Sequence, residues 1–425
     1  MEGPDQEPPA TVIPEAPEAP ESPDEPEADT PAQRRGGRAW STVVGFGLVS
    51  LATDLVSDGA RPLAGPLLAQ LGASTLLVGL ITGGAEAAAQ GLRLIFGPWA
   101  DRTRKYWTFT IAGYAMTALC VPLLALAPGL GAAGLAVAST LIIGDRVGKA
   151  VRSPAKTVLL ATAAARVGRG RGFAAHKSLD LAGALLGPVI VAAVLAATGA
   201  MPAAFAVLAL PAAAALALLM WLRRRVPGSV TPSAPAARPP SLFSGAFLRF
   251  AVCAFFWSAG LVAFGVISYH LTTDTAVPVA AVPLLYAGAM GAAALGALAS
   301  GYAYDRAGGA VLLALPVLIA AVPALAFSTA LIPVLAGVAI WGAATGIQDS
   351  TVKALIADLV PEPRQGSAYG VFAAFEGAGA LAGGVLYGAL YSDRPVLIAS
   401  VAGLQAAALV LLTFTVRSVR RSPGS

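Results

Sequence analysis

Twelve separate stretches of this chain are long and apolar enough to cross a lipid bilayer, and no other feature restricts the fold so severely. A hydrocarbon core about 30 Å thick takes ~20 apolar helical residues, and more where a helix tilts. The stretches cover residues 43–71, 76–98, 107–127, 133–161, 173–198, 202–222, 247–272, 279–303, 310–328, 331–358, 368–391 and 395–416. Only the fourth and tenth are unusually polar. Lipid offers backbone N–H and C=O groups no partner, so a run of such segments folds as helices. The expected class is therefore an all-α membrane protein with 12 transmembrane helices. Composition agrees, with 56% hydrophobic and 12% charged residues and mean hydropathy +0.73, against about 25% charged residues in soluble domains.

The start of the chain differs. Pro4 to Ala32 is rich in Pro, Glu, Asp and Ala and nearly free of large apolar side chains, so residues 1–40 are expected to form a disordered acidic cytoplasmic tail. The start is acidic and lacks a short apolar stretch with a cleavage site, which argues against a signal peptide.

Charge sets the orientation. Alternate connections carry Arg34, Arg35 and Arg38, then Arg102, Arg104 and Lys105, then Arg166, Arg169 and Arg171, then Arg223 to Arg225, with Arg306, Arg364, Arg417, Arg420 and Arg421 in the second half. The opposite loops are short and hold only Asp274, Asp393 and Arg394. The positive-inside rule then puts both termini in the cytoplasm and makes the net charge of +5 a topology signal, not a nucleic-acid surface. Cys120 and Cys253 sit inside apolar runs without metal-ligand spacing, so neither a disulfide framework nor a metal site is expected.

A Pro/Ser/Ala-rich stretch from Val226 to Ser244 separates the sixth run from the seventh and reads as a flexible linker. The expected organisation is a six-helix bundle at 41–225, a cytoplasmic linker at 226–245, a second bundle at 246–416 and a basic tail at 417–425. The halves also repeat. Gly97-Pro-Trp-Ala-Asp101-Arg102 follows the second run, and Gly301-Tyr-Ala-Tyr-Asp305-Arg306-Ala-Gly308 follows the eighth. Runs five and eleven align without gaps, placing Ala161 on Ala357, Phe173 on Tyr369, Asp180 on Glu376, Gly183 on Gly379 and Gly187 on Gly383. Such internal symmetry is the mark of a secondary transporter.

The Gly-x-x-x-Asp-Arg loops suit a conformational latch, with the glycine admitting a neighbouring helix and the acid facing a helix N-terminus or a base across the seam. These residues resemble motif A of the major facilitator superfamily, and the likeness runs from about residue 43 to 416. The resemblance implies two pseudo-symmetric six-helix bundles working by alternating access. The first copy departs from the family by carrying Arg104 where a glycine is usual, whereas the second keeps Gly308. Gly183-Ala-Leu-Leu-Gly187-Pro188 looks like the motif C of antiporters in this superfamily, the small residues permitting close packing and the proline bending the helix. Ordinary small-residue packing is the alternative reading.

Ionisable residues inside the runs are costly unless they face a wet cavity or a partner. They form stripes: Asp54, Asp58 and Arg61; Glu86, Gln90 and Arg93; Asp145, Lys149, Arg152 and Lys156; His176 and Asp180. The second half offers Tyr269, His270, Gln348, Asp349, Lys353 and Glu376. Helices one, four, seven and ten line the cavity in the resembled fold. The proton-coupling candidates are Asp54, Asp58, Glu86, Arg152 and Asp180, led by Asp54 and Glu86, and the other members of the stripes, His270 apart, are cavity candidates. The alternative is a static ion-pair network among Asp58, Arg61, Glu86, Arg93 and Asp145. Asp145-Arg146-Val-Gly-Lys149-Ala-Val-Arg152 resembles the fourth helix of a group of bacterial permeases in the superfamily and does not match its usual motif B. Arg152 is the first choice for the proton-transfer arginine, and Pro154 is expected to break the helix near the cytoplasmic mouth.

No Gly-x-x-x-x-Gly-Lys-Ser/Thr loop occurs, which argues against ATP-driven pumping. The sequence thus leads to a non-enzymatic, monomeric, cofactor-free plasma-membrane permease, resembling proton-coupled drug or metabolite exporters and moving a small solute by proton antiport. An importer or exchanger of an anionic or zwitterionic metabolite is the second reading, and a transport-dead membrane scaffold or sensor the third.

Overall fold

The computed structural model describes residues 31–165, 167–225, 244–361 and 365–420. Most of the acidic tail and of the linker lies outside these residues, as do Arg166, Arg364 and Arg421; the side chains of Arg34, Arg35, Arg38, Arg169 and Arg420 are likewise not described. In the first half the helices are α1 (Pro31–Ala60), α2 (Ala64–Gln70), α3 (Thr75–Gly91), α4 (Arg93–Thr103), α5 (Tyr106–Leu123), α6 (Gly134–Ala164), α7 (Arg169–Thr198), α8 (Met201–Ala206) and α9 (Ala209–Arg225). In the second half they are α10 (Gly245–Gly260), α11 (Phe264–Thr273), α12 (Val282–Ala307), α13 (Ala314–Ala326), α14 (Leu331–Leu359), α15 (Gln365–Ala389) and α16 (Arg394–Arg420). Among the described residues there is no strand, and nine helical runs are long and apolar enough to cross a membrane.

Every apolar run of the sequence falls on one or two of these helices, with three departures. The first helix begins at Pro31, inside the stretch expected to be disordered, and the last continues to Arg420 through part of the expected tail. Both extensions lengthen helices already formed, and adding a residue to a helix is far easier than nucleating one. Second, α6 is continuous through Pro154, so the expected break is absent. Proline removes one hydrogen bond there, but the flanking Ala150 and Ala155 are completely buried, and packing holds the helix together. Third, the seventh run is interrupted at Leu261–Ala263, between α10 and α11. The carbonyls freed by this break find side chains, Gly260 accepting from the Tyr387 hydroxyl at 2.8 Å and Val262 from Trp341 Nε1 at 2.8 Å.

The repeat seen in the sequence is also a repeat of packing. Gly183 and Gly187 on α7 lie against the carbonyls of Leu51 and Leu55 on α1, where a Cβ would overlap the backbone. Gly379 and Gly383 on α15 do the same against Phe255 and Ala259 on α10. The two halves of the chain meet along α3 and α15, where Gly79 and Gly384 bring the backbones together. They also meet at α2 and α11 and between α7 and α12. At the end remote from Asp101 and Asp305 the two halves touch: Gly65 abuts the carbonyl of Gly265, and the Thr75 hydroxyl donates to the Gly388 carbonyl at 3.2 Å. Between these seams lies a cavity at mid-helix depth.

Candidate functional site

The cavity has a volume of ≈ 200 Å³ and is lined from both halves of the chain. The first half contributes Ser57, Arg61, Glu86, Gln90, Asp145, Arg146 and Lys149 among others. The second half contributes Ser258, the broken segment Leu261–Ala263, Phe264, Trp341, Gln348, Asp349 and Glu376. Thus α3 and α15 line it as well as the helices expected from the resemblance, because the glycine seam between them brings the polar face of each to the central space.

Of the sequence candidates, Arg61, Glu86, Gln90, Asp145, Lys149, Gln348, Asp349 and Glu376 come together at this cavity. Arg61 Nη2 is 2.9 Å from Glu86 Oε1 and its Nη1 is 3.7 Å from Asp58 Oδ1. Tyr286, fully buried on α12, accepts from Arg61 Nη1 at 3.2 Å and donates to Asp58 Oδ1 at 2.9 Å. This cluster ties the two halves together. Asp145 accepts from Ser57 Oγ at 3.1 Å and pairs with Arg146 Nε at 3.4 Å. Glu376 accepts from Gln348 Nε2 at 2.8 Å. Buried polar atoms without a hydrogen-bond partner concentrate here: Arg61 Nε, Arg146 Nη1, Gln90 Oε1 and Gln348 Oε1.

The remaining candidates lie off the cavity. Asp54 and Asp180 are neighbours between α1 and α7. Lys177 reaches Asp180 Oδ2 at 2.8 Å. Arg152 is buried, donating to Thr117 Oγ1 at 2.7 Å with its guanidinium 4.9 Å over the Tyr114 ring. Lys156 donates to Ser50 Oγ at 3.1 Å, and His176 is buried with Nδ1 unpartnered. Arg93 sits beside Glu376 and Asp349 without lining the cavity, and Lys353 is exposed. Tyr269 packs edge-on against Tyr391 near the end remote from Asp101 and Asp305. There His270, from the same stripe, contacts the Tyr391 hydroxyl at 2.8 Å, Asp274 at 3.3 Å and the Ser328 carbonyl at 3.1 Å. Burial and the hydrogen bond to Asp274 hold the Tyr391 phenol above its ordinary pKa, so it stays a donor.

The two Asp-Arg loops sit at the other end. Asp101 accepts from the Tyr106 hydroxyl at 3.1 Å, and Arg306 stacks on Tyr302 with 3.6 Å between guanidinium carbon and ring centre. Arg102 and Asp305 are exposed. The close helix approach expected at these glycines is absent in this conformation: a Cβ on Gly97 would meet only Pro154 at ordinary contact distance, and one on Gly301 would meet nothing. In contrast Gly183 and Gly187 are packed as their spacing implies, and α7 runs through Pro188 as one helix.

Sequence reading missed Tyr286, Ser57 and Trp341 as site residues, and Arg146, though quoted, was not singled out. Tyr286 and Trp341 are isolated in apolar runs and leave no periodic signal. Arg146 is adjacent to Asp145 and so fell off the stripe of residues four apart. Among the described residues no cluster of His, Cys, Asp or Glu could hold a metal ion.

A bundle of membrane helices whose halves repeat each other's packing around a central polar cavity is the architecture of a secondary transporter. The fold is that of major facilitator transporters. The Major Facilitator Superfamily model matches residues 246–425. An uncharacterized protein of Mycobacterium tuberculosis is 47% identical over 394 residues, spanning 91% of this chain and 95% of the relative. An uncharacterized MFS-type transporter of Methanocaldococcus jannaschii is 27% identical over 145 residues, 34% of this chain and 35% of that protein. Among solved structures, the nucleoside transporter NupG superposes with TM-score 0.70 at 13% identity over 88% of this chain and 99% of that one. A bacterial homolog of the lysosomal transporter Spinster, in an inward-facing and occupied conformation, gives 0.62 at 15% over 92% and 96%. The protein is therefore a multi-pass membrane transporter and not an enzyme, and its cargo is a small molecule.

Proposed function

We propose that this transporter exchanges protons for a small organic solute by alternating access, exporting the solute across the plasma membrane. The observation that carries this reading is Glu376: it faces the cavity, accepts one hydrogen bond from Gln348, and has no cation within 4 Å among the described residues. Asp349 beside it likewise lacks an ionic partner among the described residues. A carboxylate in that position is satisfied either by a proton or by a cationic group of the solute, and two occupants that compete for one group exchange across the membrane. Glu86, by contrast, is engaged by Arg61 and is less available for such exchange. The neighbouring Asp54 and Asp180 are the second coupling position, near Lys149. Asp58 and Arg152 complete the coupling set, and the two Asp-Arg loops are the latch of a conformation other than this one.

Twelve crossings fit the helices. The runs Tyr106–Ala164 and Val279–Ala326 hold 59 and 48 residues, and a helix that long would extend ~70–90 Å at 1.5 Å per residue, so each crosses twice. Gly131 (φ 53°) and Gly308 (φ 61°) turn the chain within them. Helices α3 and α4 supply the twelfth crossing, the chain works as a monomer of two six-helix units, and both termini lie in the cytoplasm. An importer or exchanger of an anionic or zwitterionic metabolite is the second reading, favoured by Arg146 Nη1 and Lys149 at the cavity wall.

The test is proton movement in proteoliposomes, driven by a compound selected for thermal stabilisation of the purified protein. The wild-type protein moves protons counter to the compound. Glu376→Gln abolishes flux driven by a pH gradient while flux down the compound's own gradient persists. Undiminished gradient-driven flux in that variant overturns the assignment.

A further inference from the structure

The lining cations of the cavity all lie on its first-half wall. On the first-half wall Arg61 is occupied by Glu86, Asp58 and Tyr286. Arg146 gives Nε to Asp145, yet its Nη1 has no partner although the residue is only 6% exposed. Lys149 lines the cavity with no carboxylate within 4 Å among the described residues. Counted over the lining residues, this wall has three cations, Arg61, Arg146 and Lys149, against two anions, Glu86 and Asp145. The second-half wall has Asp349 and Glu376 and no cation of its own at the cavity. Arg93 and Lys353 approach Glu376 from outside the cavity and Asp349 lies beside it. Between the charged walls the surface is apolar and aromatic, formed by Leu261, Val262, Phe264 and Trp341.

We propose that the transported solute is a small amino-carboxylate zwitterion, its anionic group held by Arg146 Nη1 and Lys149 and its ammonium by Glu376 and Asp349. A solely anionic solute would leave the two second-half carboxylates without a cation inside the cavity, and a solely cationic one would leave Arg146 Nη1 and Lys149 without an anion there. Uncompensated charge in a low-dielectric site is unfavourable, and a zwitterion alone satisfies both walls at once. The volume points the same way. At ≈ 200 Å³ the cavity is smaller than the ~300–1,000 Å³ of sites for drug-sized ligands, and it suits a metabolite of few atoms. Gln90 Oε1 and Gln348 Oε1, both unpartnered, are acceptors for the remaining N–H groups of such a molecule.

The proposal rests on the transporter reading and names the chemistry of its cargo. Its test is binding to the purified full-length protein in detergent, which needs no proton gradient and so separates failure of the substrate class from failure of the coupling. The probes are glycine, 4-aminobutyrate and 6-aminohexanoate, with butylamine and butyrate as single-charge controls. At least one amino carboxylate raises the melting temperature in a saturable manner, and neither control does. Lys149→Gln and Glu376→Gln each raise the Kd for that probe by about tenfold or more, the size of effect expected when one partner of a buried charge pair is removed. Arg146→Gln does the same where it folds. Stabilisation by butylamine or butyrate equal to that by the amino carboxylates overturns the proposal, and so does the absence of stabilisation by all three zwitterions.

Discussion

Arg104 ends α4 in the left-handed backbone region, with φ 54° and ψ 17°, at the position where the second copy of the motif has Gly308 at φ 61°. A side chain in that region costs about 1–2 kcal/mol relative to glycine. Arg104→Gly is therefore expected to raise stability by about 1 kcal/mol, read as a higher melting temperature in detergent; an unchanged or lower value would mean that the exposed arginine makes a compensating contact. The sequence showed this departure from the repeat and the structure supplies its consequence. The Asp58, Arg61 and Glu86 stripes were equally legible, since residues one turn apart share a helix face. Their partner Tyr286 was not, because one tyrosine in an apolar run has the composition of ordinary core. Removing the arginine from this cluster strands two carboxylates among buried groups. Arg61→Gln should lower stability by about 3 kcal/mol, and adding Glu86→Gln should restore a large part of it. Additive losses in the double variant would show that Arg61 and Glu86 do not act as a pair.

Helix identity followed from apolar length, which the bilayer fixes, and so the helices lie where the sequence put them. Helix interruptions depend on tertiary partners and were misjudged in both directions. Pro154 was expected to break α6 and does not, because the helix is clasped by buried neighbours. The gap at Leu261–Ala263 went unforeseen because its freed carbonyls are satisfied by Trp341 and Tyr387, residues far away in sequence. The seam between α3 and α15 shows which small residues matter. A Cβ on Gly79 would overlap the Gly384 backbone, whereas one on Gly91, later in the same helix, would meet open space. Overpacking at such a contact costs ~1–3 kcal/mol, or roughly a tenfold or greater change in a conformational equilibrium. Gly79→Ala is thus expected to reduce transport about tenfold or more at normal membrane abundance, and Gly91→Ala to leave it near wild type. Equal effects at the two positions would mean that the close approach of α3 and α15 plays no part in turnover.

Closure at one end of the molecule decides from which side the cavity fills. Beyond the cavity, towards the end remote from the Asp-Arg loops, Gly65 abuts Gly265 and Thr75 is hydrogen-bonded to Gly388, joining the two halves, while His270 joins Tyr391, Asp274 and Ser328 within the second half. His270 uses Nε2 for the Ser328 carbonyl, and Tyr391 donates its single proton to Asp274. Among the described residues no hydrogen bond joins the two halves at the Asp-Arg loops, where Asp101 bonds to Tyr106 of its own half and Arg306 stacks on Tyr302. Solvent is therefore expected to reach the cavity from the end that carries the Asp-Arg loops. Ala380 lines the cavity and Cys120 and Cys253 are the only thiols, so Ala380→Cys in a Cys120→Ala, Cys253→Ala background reports on access. A membrane-impermeant maleimide should label it rapidly from the face that carries the Asp-Arg loops and at least about tenfold more slowly from the opposite face. Labelling that is faster from the opposite face in the parent background would show that the resting protein populates the other state of the alternating cycle.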